Sequence, residues 1–367
     1  MLTDRNLILL CAGGTGGHLF PAEALAVVLE KRGLTVDLAT DHRAAHFKFP
    51  ARAVHLIPSA TFRGRDPLSL ARTATMLARG TLKAWALIGR IRPSVVVGFG
   101  GYPTVPPLLA AALRGVPSVL HEQNSVMGRA NRRLASRVTA IATGFRTLTN
   151  LDPRHGGKVT FTGNPIRPQV IAAAATLYAA PEDDGTLRLL VFGGSQGARV
   201  MSEIVPAAID LMNPGLRARL HVVQQARAED VDEVRAAYAR LGVAAQVEPF
   251  FADLPARMAE AHLVVSRSGA STVAELSAIG RPAILVPLPH ALDQDQFHNA
   301  GALEAAGAAI RVVQKDFTPE RLGADIAALA GHPEQLARMA AAAKSAGAID
   351  AAERLADVVM KTASLGN

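Results

Sequence analysis

The feature that most constrains the fold is a strand, a glycine-rich turn and a helix start that occur in this order in each half of the chain. The two segments are LILLCAGGTGGH at residues 7–18 and LRLLVFGGSQGA at residues 187–198. Glycine permits the tight turn from a buried parallel strand into a helix. The repeat therefore predicts two α/β domains of the same architecture.

Apolar, β-rich runs alternate with helical-period segments along both halves, a pattern typical of parallel sheets with crossover helices. Strands are predicted at 7–11, 35–40, 94–99, 118–121 and 138–142, and then at 188–192, 221–225, 263–266 and 283–286. A chain of 367 residues is also long enough for two cores, and we expect a cleft between them.

The segment TGNPIRP at 162–168 has the glycine and proline content of a linker. It places the domain boundary near Arg167 and predicts a first domain at 1–166 and a second at 167–349. The final helix, 350–367, follows an alanine-rich helical stretch, and we expect it to pack back on the first domain.

Composition narrows the functional classes. Cys11 is the one cysteine, which excludes an internal disulfide and a cysteine-based zinc site and fits a reducing compartment. We find neither a secretory signal nor an apolar run of bilayer length, so the predicted location is the cytoplasm. The net charge of +8 favours an anionic partner. Because Tyr and Trp are scarce, a membrane surface or a phosphorylated substrate is favoured over nucleic acid.

Both glycine turns are predicted to bind phosphate, because backbone N–H groups and a helix N-terminus face such a turn. Neither has the GxGxxG or GxxxxGK[ST] spacing, which disfavours NAD and P-loop nucleotides. The alternative is that both are merely tight turns. His18 begins the helix after the first turn, where it could take a proton from an acceptor hydroxyl, and the alternative is a satisfied polar residue.

Two further polar segments follow predicted strands. HEQN at 121–124 gathers four hydrogen-bonding side chains, which indicates sugar or acceptor recognition or, alternatively, a buried capping network. In SRSGASTVAEL at 266–276, a helix starts near Ser271, and its free N–H groups suit a phosphate while Glu275 suits a ribose. The alternative there is simple helix capping.

These motifs resemble, in order, those of the MurG family. They are GGTGGHLFPAEALA at 13–26, GFGGYPTVPPLLAA at 98–111, HEQNSVMGRANRRLA at 121–135, GNPIR at 163–167, GGSQGAR at 193–199, SRSGASTVAEL at 266–276 and HALDQDQFHNA at 290–300. The resemblance spans nearly the whole chain. It implies a GT-B fold of two Rossmann-like domains. It also implies an inverting transfer, without metal or cofactor, of N-acetylglucosamine from UDP-N-acetylglucosamine to undecaprenyl-diphosphoryl-muramoyl-pentapeptide, or lipid I, which gives lipid II for peptidoglycan synthesis.

The resemblance further implies roles for single residues. His18 is the implied base and Glu122 the second catalytic residue, with Asn124 on the acceptor side. The implied ligands of UDP-N-acetylglucosamine are Thr15, Gly16, Gly17, Asn124, Arg167, Ser195, Phe251, Arg267, Ala270, Ser271, Thr272, Glu275 and Gln296.

Within this set, Ser195 would face the diphosphate and Glu275 would hold the ribose. Arg267 and helix N-termini would stabilise the leaving diphosphate in place of a metal. One residue departs from the family, which has His or Gln just before the glutamine that matches Gln296. Asp295 stands there in this chain, and this leaves the sugar contacts of that loop open.

The segment at 62–92 predicts a basic amphipathic helix. Its apolar positions include Leu70, Leu77, Trp85 and Ile88, and its basic positions are Arg63, Arg65, Arg72, Arg79, Lys83, Arg90 and Arg92. Such a helix can lie on anionic lipid headgroups, and the alternative is a domain helix with a solvated basic face. With the resemblance, it implies a peripheral protein on the cytoplasmic face of the inner cell membrane. Cell-wall synthesis, cell shape and cell division would be its processes, and proteins of those processes its candidate partners.

Two other functions stay open. One is another GT-B enzyme that uses UDP-N-acetylglucosamine, either a glycolipid synthase or a non-hydrolysing 2-epimerase. The other is a nucleotide-sugar-binding or regulatory protein without turnover. HEQN together with the basic apolar segment favours a lipid acceptor, and His18 favours an enzyme.

Overall fold

The computed structural model describes residues 6–13, 16–44, 48–60, 67–182, 184–194, 197–289, 291 and 293–364. The chain divides into two compact units, Met1–Arg167 with Ile349–Asn367, and Pro168–Ala348. Each unit contains one parallel sheet, of seven strands in the first and six in the second. The predicted α/β class is confirmed.

The first unit contains twelve of the labelled elements. Its strands are β1 (Leu7–Cys11), β2 (Thr35–Thr40), β3 (Ala53–Leu56), β4 (Val95–Gly98), β5 (Ser118–Glu122), β6 (Ala140–Thr143) and β7 (Val159–Phe161). Its helices are α1 (Gly16–Lys31), α2 (Pro67–Ile91), α3 (Val105–Leu113), α4 (Arg129–Leu134) and α14 (Ala351–Ser364), with short 3-10 helices at His42–Ala44, Tyr102–Thr104 and Pro153–Lys158. The strand order is β3-β2-β1-β4-β5-β6-β7.

The second unit repeats this alternation. Its strands are β8 (Leu187–Phe192), β9 (Leu220–Gln225), β10 (Ala244–Glu248), β11 (Leu263–Ser266), β12 (Ala283–Leu285) and β13 (Ala309–Arg311). Its helices are α5 (Pro168–Ala173), α6 (Arg199–Asp210), α7 (Pro214–Arg219), α8 (Val231–Leu241), α9 (Leu254–Glu260), α10 (Ala270–Ile279), α11 (Asp295–Ala305), α12 (Pro319–Ala330) and α13 (Pro333–Ala346), with a 3-10 helix at Gln314–Asp316. The strand order is β10-β9-β8-β11-β12-β13.

In each sheet the strand order reverses beside the first strand. β1 pairs with β2 on one side and β4 on the other, and β8 pairs in the same way with β9 and β11. Ligands of open parallel sheets bind at the carboxyl ends of the strands beside such a reversal. The glycine-rich segments of the sequence directly follow β1 and β8, so each stands at this place in its own unit.

All the predicted strands are present, with ends shifted by at most two residues. Four further strands, β3, β7, β10 and β13, are absent from the prediction, and they form both edges of each sheet. Most residues of these four strands are partly or fully exposed, whereas most residues of the central strands are buried. An edge strand is paired on one side only, so its sequence carries a weaker apolar signal.

The two faces of the first sheet bury separate groups of apolar side chains. Ile8 and Leu10 of β1 belong to the core cluster that includes residues of α1 and α14, whereas Leu9 and Cys11 belong to the cluster of the opposite face. Side chains of a strand alternate between faces, which explains the division. Leu355 of α14 is fully buried in the first cluster, so the end of the chain completes this core.

A buried guanidinium, that of Arg281, joins the C-terminal ends of three helices in the second unit. It donates hydrogen bonds to the carbonyl of Ala259 in α9, to those of Ile279 and Gly280 at the end of α10, and to that of Thr176 after α5. Carbonyl groups in the last turn of a helix have no partner within the helix and carry partial negative charge. Arg281 satisfies them and thereby fixes the C-terminal end of α10.

Replacement of Leu355 by alanine should lower the free energy of unfolding by about 2–5 kcal/mol, the usual range for deleting a buried leucine side chain. Asp357→Ala on the same helix is the matched control, because it removes only an exposed ion pair with Arg32, which contributes about 0–1 kcal/mol. Urea unfolding followed by circular dichroism measures both. Equal effects of the two substitutions would contradict the packing of α14 in this core.

Candidate functional site

The predicted ligands around the first glycine turn lie at the start of α1. Thr15, like Ser195 in the second unit, lies outside the described residues, and Gly16 and Gly17 open the helix. His18 follows in the first turn with its ring half-buried. It therefore stands just beyond the carboxyl end of β1, where the sequence places it.

Two glycines after β4 lie against the His18 ring. Gly100 and Gly101 have φ angles of 82° and 73°, a region that favours glycine. A β-carbon on Gly101 would lie 3.3 Å from Nε2 of His18, and one on Gly100 would lie 3.7 Å from its Cε1. The absence of both side chains leaves room beside the Nε2 edge of the imidazole.

The surroundings of His18 favour its neutral form. Nδ1 lies 3.1 Å from Oε1 of Gln123. Burial lowers the pKa of His18 below its usual value, hydrogen bonds with Gln123 and the Phe99 backbone raise it in part, and the charge of Arg43 lowers it further. A neutral imidazole can accept a proton, so His18 has the protonation state that a general base needs at neutral pH.

The carboxylate of Glu122 is buried and accepts four hydrogen bonds. Oε1 accepts from the backbone N–H and the side-chain amide of Asn124 at 3.0 and 3.3 Å, and Oε2 accepts from the N–H of Gly128 and the amide of Asn131 at 3.0 and 2.7 Å. Burial raises the pKa of Glu122, and these donors lower it. The contacts fit the alternative interpretation of HEQN, a buried network, which here fixes the loop after β5 to α4.

The rest of the HEQN segment is held by the residues that follow β7. Nε2 of His121 lies 3.2 Å from the carbonyl oxygen of Gly163, and burial lowers the pKa of His121 to about 4. The side-chain amide of Asn164 donates to the carbonyl of Gln123 at 2.8 Å. A β-carbon on Gly144 would lie 2.2 Å from Oδ1 of Asn164, so only glycine leaves space for this amide.

Arg167, a predicted donor ligand, lies at the end of the first unit. Its guanidinium stacks on the ring of Phe20 in α1, 4.3 Å from the ring centroid. Burial raises the pKa of Glu23 on the same helix, and the charge of Arg167 lowers it. Arg167 thus brings a positive charge to the N-terminal part of α1.

The second glycine turn is fastened to the neighbouring strand. A β-carbon on Gly193 would lie 2.2 Å from the backbone nitrogen of Ala198, so this position requires glycine. Gln225, at the end of β9, accepts a hydrogen bond from the N–H of Gly193 at 3.3 Å and donates one to the carbonyl of Pro249 at 3.2 Å. The sequence offers no signal for this role, because Gln225 lies 32 residues from the turn.

The N-terminus of α10 has no side-chain cap among the described residues. Gly269 is the N-cap residue, and a β-carbon there would have Oγ1 of Thr272 as its nearest neighbour, 4.0 Å away. The alternative interpretation of Ser271 as the cap is therefore wrong, since Ser271 lies inside the helix. Free N–H groups at such an end attract an anion. Glu275 is buried one turn further along.

Arg267 is buried, and its guanidinium donates hydrogen bonds to neutral acceptors. Nη1 donates to the carbonyls of Val286 and Pro287 at 3.1 and 3.0 Å, and Nη2 donates to Oε1 of Gln314 at 2.6 Å. Burial lowers the pKa of Arg267. These contacts fasten the residues before α10 to the end of β12 and assign Arg267 a positioning role. Its contact with a diphosphate stays a prediction.

Gln296 joins two loops of the second unit. Its Oε1 accepts a hydrogen bond from the N–H of Leu288 at 3.0 Å, and its carbonyl accepts one from Oγ of Ser268 at 2.8 Å. The amide of Asn299 donates to the carbonyl of Ser268 at 3.3 Å. Asp295, the departure from the family pattern, begins α11, where a carboxylate suits the helix dipole.

Phe251 follows β10, and its buried ring lies 4.4 Å from the guanidinium of Arg257. The second unit thus brings Phe251, Arg267, the start of α10 and Gln296 to the carboxyl ends of strands in one sheet. Among the described residues, no group of three or more His, Cys, Asp or Glu side chains has an arrangement that could hold a metal ion.

Comparison with known proteins gives consistent matches along the chain. Residues 8–143 match the glycosyltransferase family 28 N-terminal domain, and residues 188–355 match the glycosyltransferase family 28 C-terminal domain. A relative from Rhodopseudomonas palustris strain CGA009 is 61% identical, over 99% of this chain and 100% of its own length. A relative from Bradyrhizobium sp. strain BTAi1 is 59% identical, over the full length of both chains.

Both relatives carry the name UDP-N-acetylglucosamine–N-acetylmuramyl-(pentapeptide) pyrophosphoryl-undecaprenol N-acetylglucosamine transferase. Among solved structures, the crystal structure of Acinetobacter baumannii MurG superposes with a TM-score of 0.78 at 29% identity. The superposition covers 97% of this chain and 99% of that chain.

Glu122→Gln tests the buried network around the HEQN segment. An amide keeps the shape of the carboxylate but replaces one acceptor by a donor, which then faces other donors, so the free energy of unfolding should fall by about 1–3 kcal/mol. Glu30→Gln, at an exposed position of α1, is the matched control and should change stability little. Thermal and urea unfolding measure both variants. If Glu122→Gln matches its control, the four hydrogen bonds do not hold this loop.

Proposed function

Since the chain belongs to glycosyltransferase family 28 and, within it, to the MurG family, we propose that it transfers N-acetylglucosamine from UDP-N-acetylglucosamine to the N-acetylmuramyl-(pentapeptide) pyrophosphoryl-undecaprenol acceptor, lipid I. The product is lipid II, a precursor of peptidoglycan. The enzyme is a hexosyltransferase, and its fold is GT-B, with a parallel α/β sheet in each unit.

The observation that carries this function is the identity of 61% with a transferase of that name, over 99% of this chain. The rival functions explain less of this similarity. A different glycolipid synthase or a 2-epimerase needs only the same fold and a nucleotide-sugar site, and neither accounts for identity along the whole length. A binding protein without turnover needs no base, whereas His18 stands here with a lowered pKa.

The second unit, Pro168–Ala348, is proposed to bind the donor. The uncapped start of α10, at Ala270, Ser271 and Thr272, and the turn with Ser195 supply N–H groups to the diphosphate. Glu275 follows one turn later in α10, and its carboxylate is proposed to accept hydrogen bonds from the ribose hydroxyls. Phe251 and Gln296 border the same set of strand ends. This assignment is supported by their shared position at the carboxyl ends of the sheet.

The first unit, Met1–Arg167 with Ile349–Asn367, is proposed to bind the acceptor. Nε2 of His18 takes the proton of the muramoyl hydroxyl while the hydroxyl oxygen attacks the anomeric carbon of the donor sugar. The bond from that carbon to the UDP oxygen breaks in the same displacement, which inverts the configuration. Asn124, Arg167 and the backbone at Gly16 and Gly17 are proposed to complete the donor contacts, and Glu122 holds Asn124 in place.

Charge that develops on the departing diphosphate requires stabilisation. The α10 N-terminus can supply it through fixed N–H groups, because Arg281 anchors the opposite end of this helix and Arg267 fastens the residues before it. We therefore propose that the transfer needs no metal and no cofactor.

His18→Ala should lower kcat by about 10²- to 10⁴-fold, the usual contribution of a general base, while the dissociation constant of UDP-N-acetylglucosamine stays the same. Transfer of labelled N-acetylglucosamine to a soluble lipid I analogue, with EDTA present, measures the rate, and calorimetry measures donor binding. In the wild type, the rate should fall as pH drops below the lowered pKa of His18, because a protonated ring cannot accept a proton.

His42→Ala, an exposed histidine in the same unit, is the matched control and should keep full activity. If the wild type binds the donor but does not transfer the sugar to the lipid I analogue, the acceptor assignment is wrong. The functions that then remain are those of the other GT-B enzymes that use UDP-N-acetylglucosamine. Loss of transfer on addition of EDTA would remove the metal-independent mechanism.

A lipid-linked acceptor requires a surface that faces the membrane, and we propose the outer surface of α2 for this. It comprises Leu82 and Trp85 of α2 and Leu113 at the end of α3, which are 69%, 44% and 72% exposed. The exposed basic residues of α2 adjoin it; they are Arg72, Arg79, Lys83 and Arg90. Apolar side chains within a basic border suit anionic headgroups.

The structure corrects part of the sequence prediction for this segment. Ile88 is 1% exposed and packs with Ala84 and Leu87 in the core, so it does not face lipid. Arg63 and Arg65 lie outside the described residues. The guanidinium of Arg114 lies 3.7 Å from the ring centroid of Trp85, which adds a positive charge to the surface.

No helix in the described part of the chain is long and apolar enough to cross a bilayer. A peripheral position on the cytoplasmic face of the inner membrane is proposed from the acceptor and from the outer surface of α2. Roles in cell shape and division, and contacts with proteins of those processes, are proposed from the place of lipid II in wall synthesis.

The double variant Leu82→Glu with Trp85→Glu should reduce binding to vesicles of anionic lipid by about 10-fold or more. Two apolar side chains are lost, and the two negative charges that replace them are repelled by the anionic headgroups. Leu177→Glu, an 89% exposed position in the second unit, is the matched control. Sedimentation with vesicles measures binding, and transfer to the soluble acceptor should be unchanged in all variants. Equal vesicle binding by the double variant and the control would place the membrane contact elsewhere.

A further inference from the structure

The side chain of Gln123 lies between the candidate base and a backbone carbonyl. Its Nε2 donates to the carbonyl oxygen of Phe99 at 3.1 Å, and its Oε1 lies 3.1 Å from Nδ1 of His18. Gln123 is 4% exposed. The amide therefore makes both contacts out of bulk water, where hydrogen-bond geometry is well defined.

These two contacts determine the orientation of the amide. A carbonyl oxygen only accepts hydrogen bonds, so the NH₂ group of Gln123 must face Phe99. The oxygen of the amide then faces Nδ1 of His18, and because this oxygen also only accepts, Nδ1 must carry the hydrogen. In a neutral imidazole, the other nitrogen then holds the lone pair. The hydrogen bond thus selects one of two tautomers of His18.

The selected tautomer has its lone pair on the useful side of the ring. Nε2 is the atom that faces Gly101, where a β-carbon would lie only 3.3 Å away and where none is present. A hydroxyl that approaches beside Gly101 would meet a proton acceptor. The opposite tautomer would present an N–H at this point and could not remove a proton.

Gln123 is itself held on both sides in the chain. The side-chain amide of Asn164 donates to the backbone carbonyl of Gln123 at 2.8 Å, and Gly144 leaves the space that the Asn164 amide needs. The carboxylate of Glu122, which precedes Gln123, accepts a hydrogen bond from the backbone N–H of Asn124, which follows it. The backbone at residue 123 is therefore fixed, and the side chain needs only its own torsions to reach both partners.

We infer that Gln123 is a positioning residue that holds His18 as the Nδ1–H tautomer and so directs the lone pair of Nε2 to the acceptor hydroxyl. The inference rests on the proposed role of His18 as the base. During transfer, the proton of the muramoyl hydroxyl moves to Nε2, and Nδ1–H keeps its hydrogen bond to Gln123. Gln123 thus neither gains nor loses a proton.

A neutral amide at this place has a consequence that a carboxylate would not have. A carboxylate next to Nδ1 would stabilise the protonated ring and keep the base occupied at neutral pH. Two other groups change the pKa of His18: the Phe99 backbone raises it and the charge of Arg43 lowers it. The neighbouring titratable ring is that of His121. Gln123 sets the tautomer while the resting ring stays neutral.

The first test is the tautomer of His18 in the wild type. Protein labelled with ¹⁵N-histidine shows distinct nitrogen shifts for Nδ1–H and Nε2–H rings, and His18→Gln identifies the signal of His18. At a pH above the His18 titration, the inference expects the Nδ1–H form. An Nε2–H ring would overturn the inference, whatever any variant shows.

The second test is a double-mutant cycle with Gln123→Leu and His18→Ala, assayed with the soluble acceptor. Gln123→Leu removes both hydrogen bonds and should lower kcat by about 10- to 100-fold, with the KM of the donor within about 2-fold. Because Gln123 acts through His18, the double variant should be no slower than His18→Ala alone. Gln169→Leu, at an exposed position of α5, is the control and should leave kcat unchanged.

The outcomes separate this inference from the proposed function. Full activity of His18→Ala removes the base role and the inference with it. A second outcome is that His18→Ala loses activity, and that Gln123→Leu lowers kcat by the same factor in this variant as in the wild type. This outcome would retain His18 as the base and overturn only the role of Gln123. Donor binding by calorimetry shows that each variant is folded, and the wild-type tautomer decides the matter if Gln123→Leu does not fold.

Discussion

A parallel strand that is paired on both sides buries both of its faces, and this constraint determines where chemistry can occur in each unit. The strands β1, β4, β8 and β11 are fully apolar on their buried faces or nearly so, and they offer no place for a reactive group along their length. The polar residues of the candidate sites lie at or beyond the carboxyl ends of the strands. His18 follows β1, Gly101 follows β4 and Arg267 follows β11, so the candidate sites are consequences of the sheets.

Buried charged side chains in both units are stabilised by neutral groups. Glu122 is surrounded by N–H donors, and the guanidinium groups of Arg267 and Arg281 are surrounded mainly by carbonyl oxygens. A buried charge without partners is very costly, so the backbone must adopt the arrangement that supplies them. Each such residue therefore fixes several loop atoms at once. The result is a set of rigid supports around His18 and around the start of α10.

The sequence predicts the central strands because their burial on two faces leaves continuous apolar runs, and it misses β3, β7, β10 and β13 because an edge strand leaves no such run. His18 and the HEQN segment are found because His18 lies just after the glycine turn that follows a predicted strand, and HEQN lies at the carboxyl end of another. The contact of Gln123 with His18 is not found, because 105 residues separate them and only the pairing order of the strands joins them. The same holds for Gln225 and the second glycine turn. The direction of an amide, and hence a tautomer, depends on such contacts and has no signature in local sequence.

The position of α14 in the chain has a consequence for biosynthesis. The helix covers the face of the first sheet that also contacts α1, yet the ribosome makes it after the entire second unit. Leu25 and Leu29 of α1 therefore stay without their partner Leu355 while about half of the polypeptide is still to be translated. An uncovered apolar face on a nascent chain is a binding site for chaperones and a starting point for aggregation. Synthesis of α14, and not completion of the first sheet, is thus the event that closes this core.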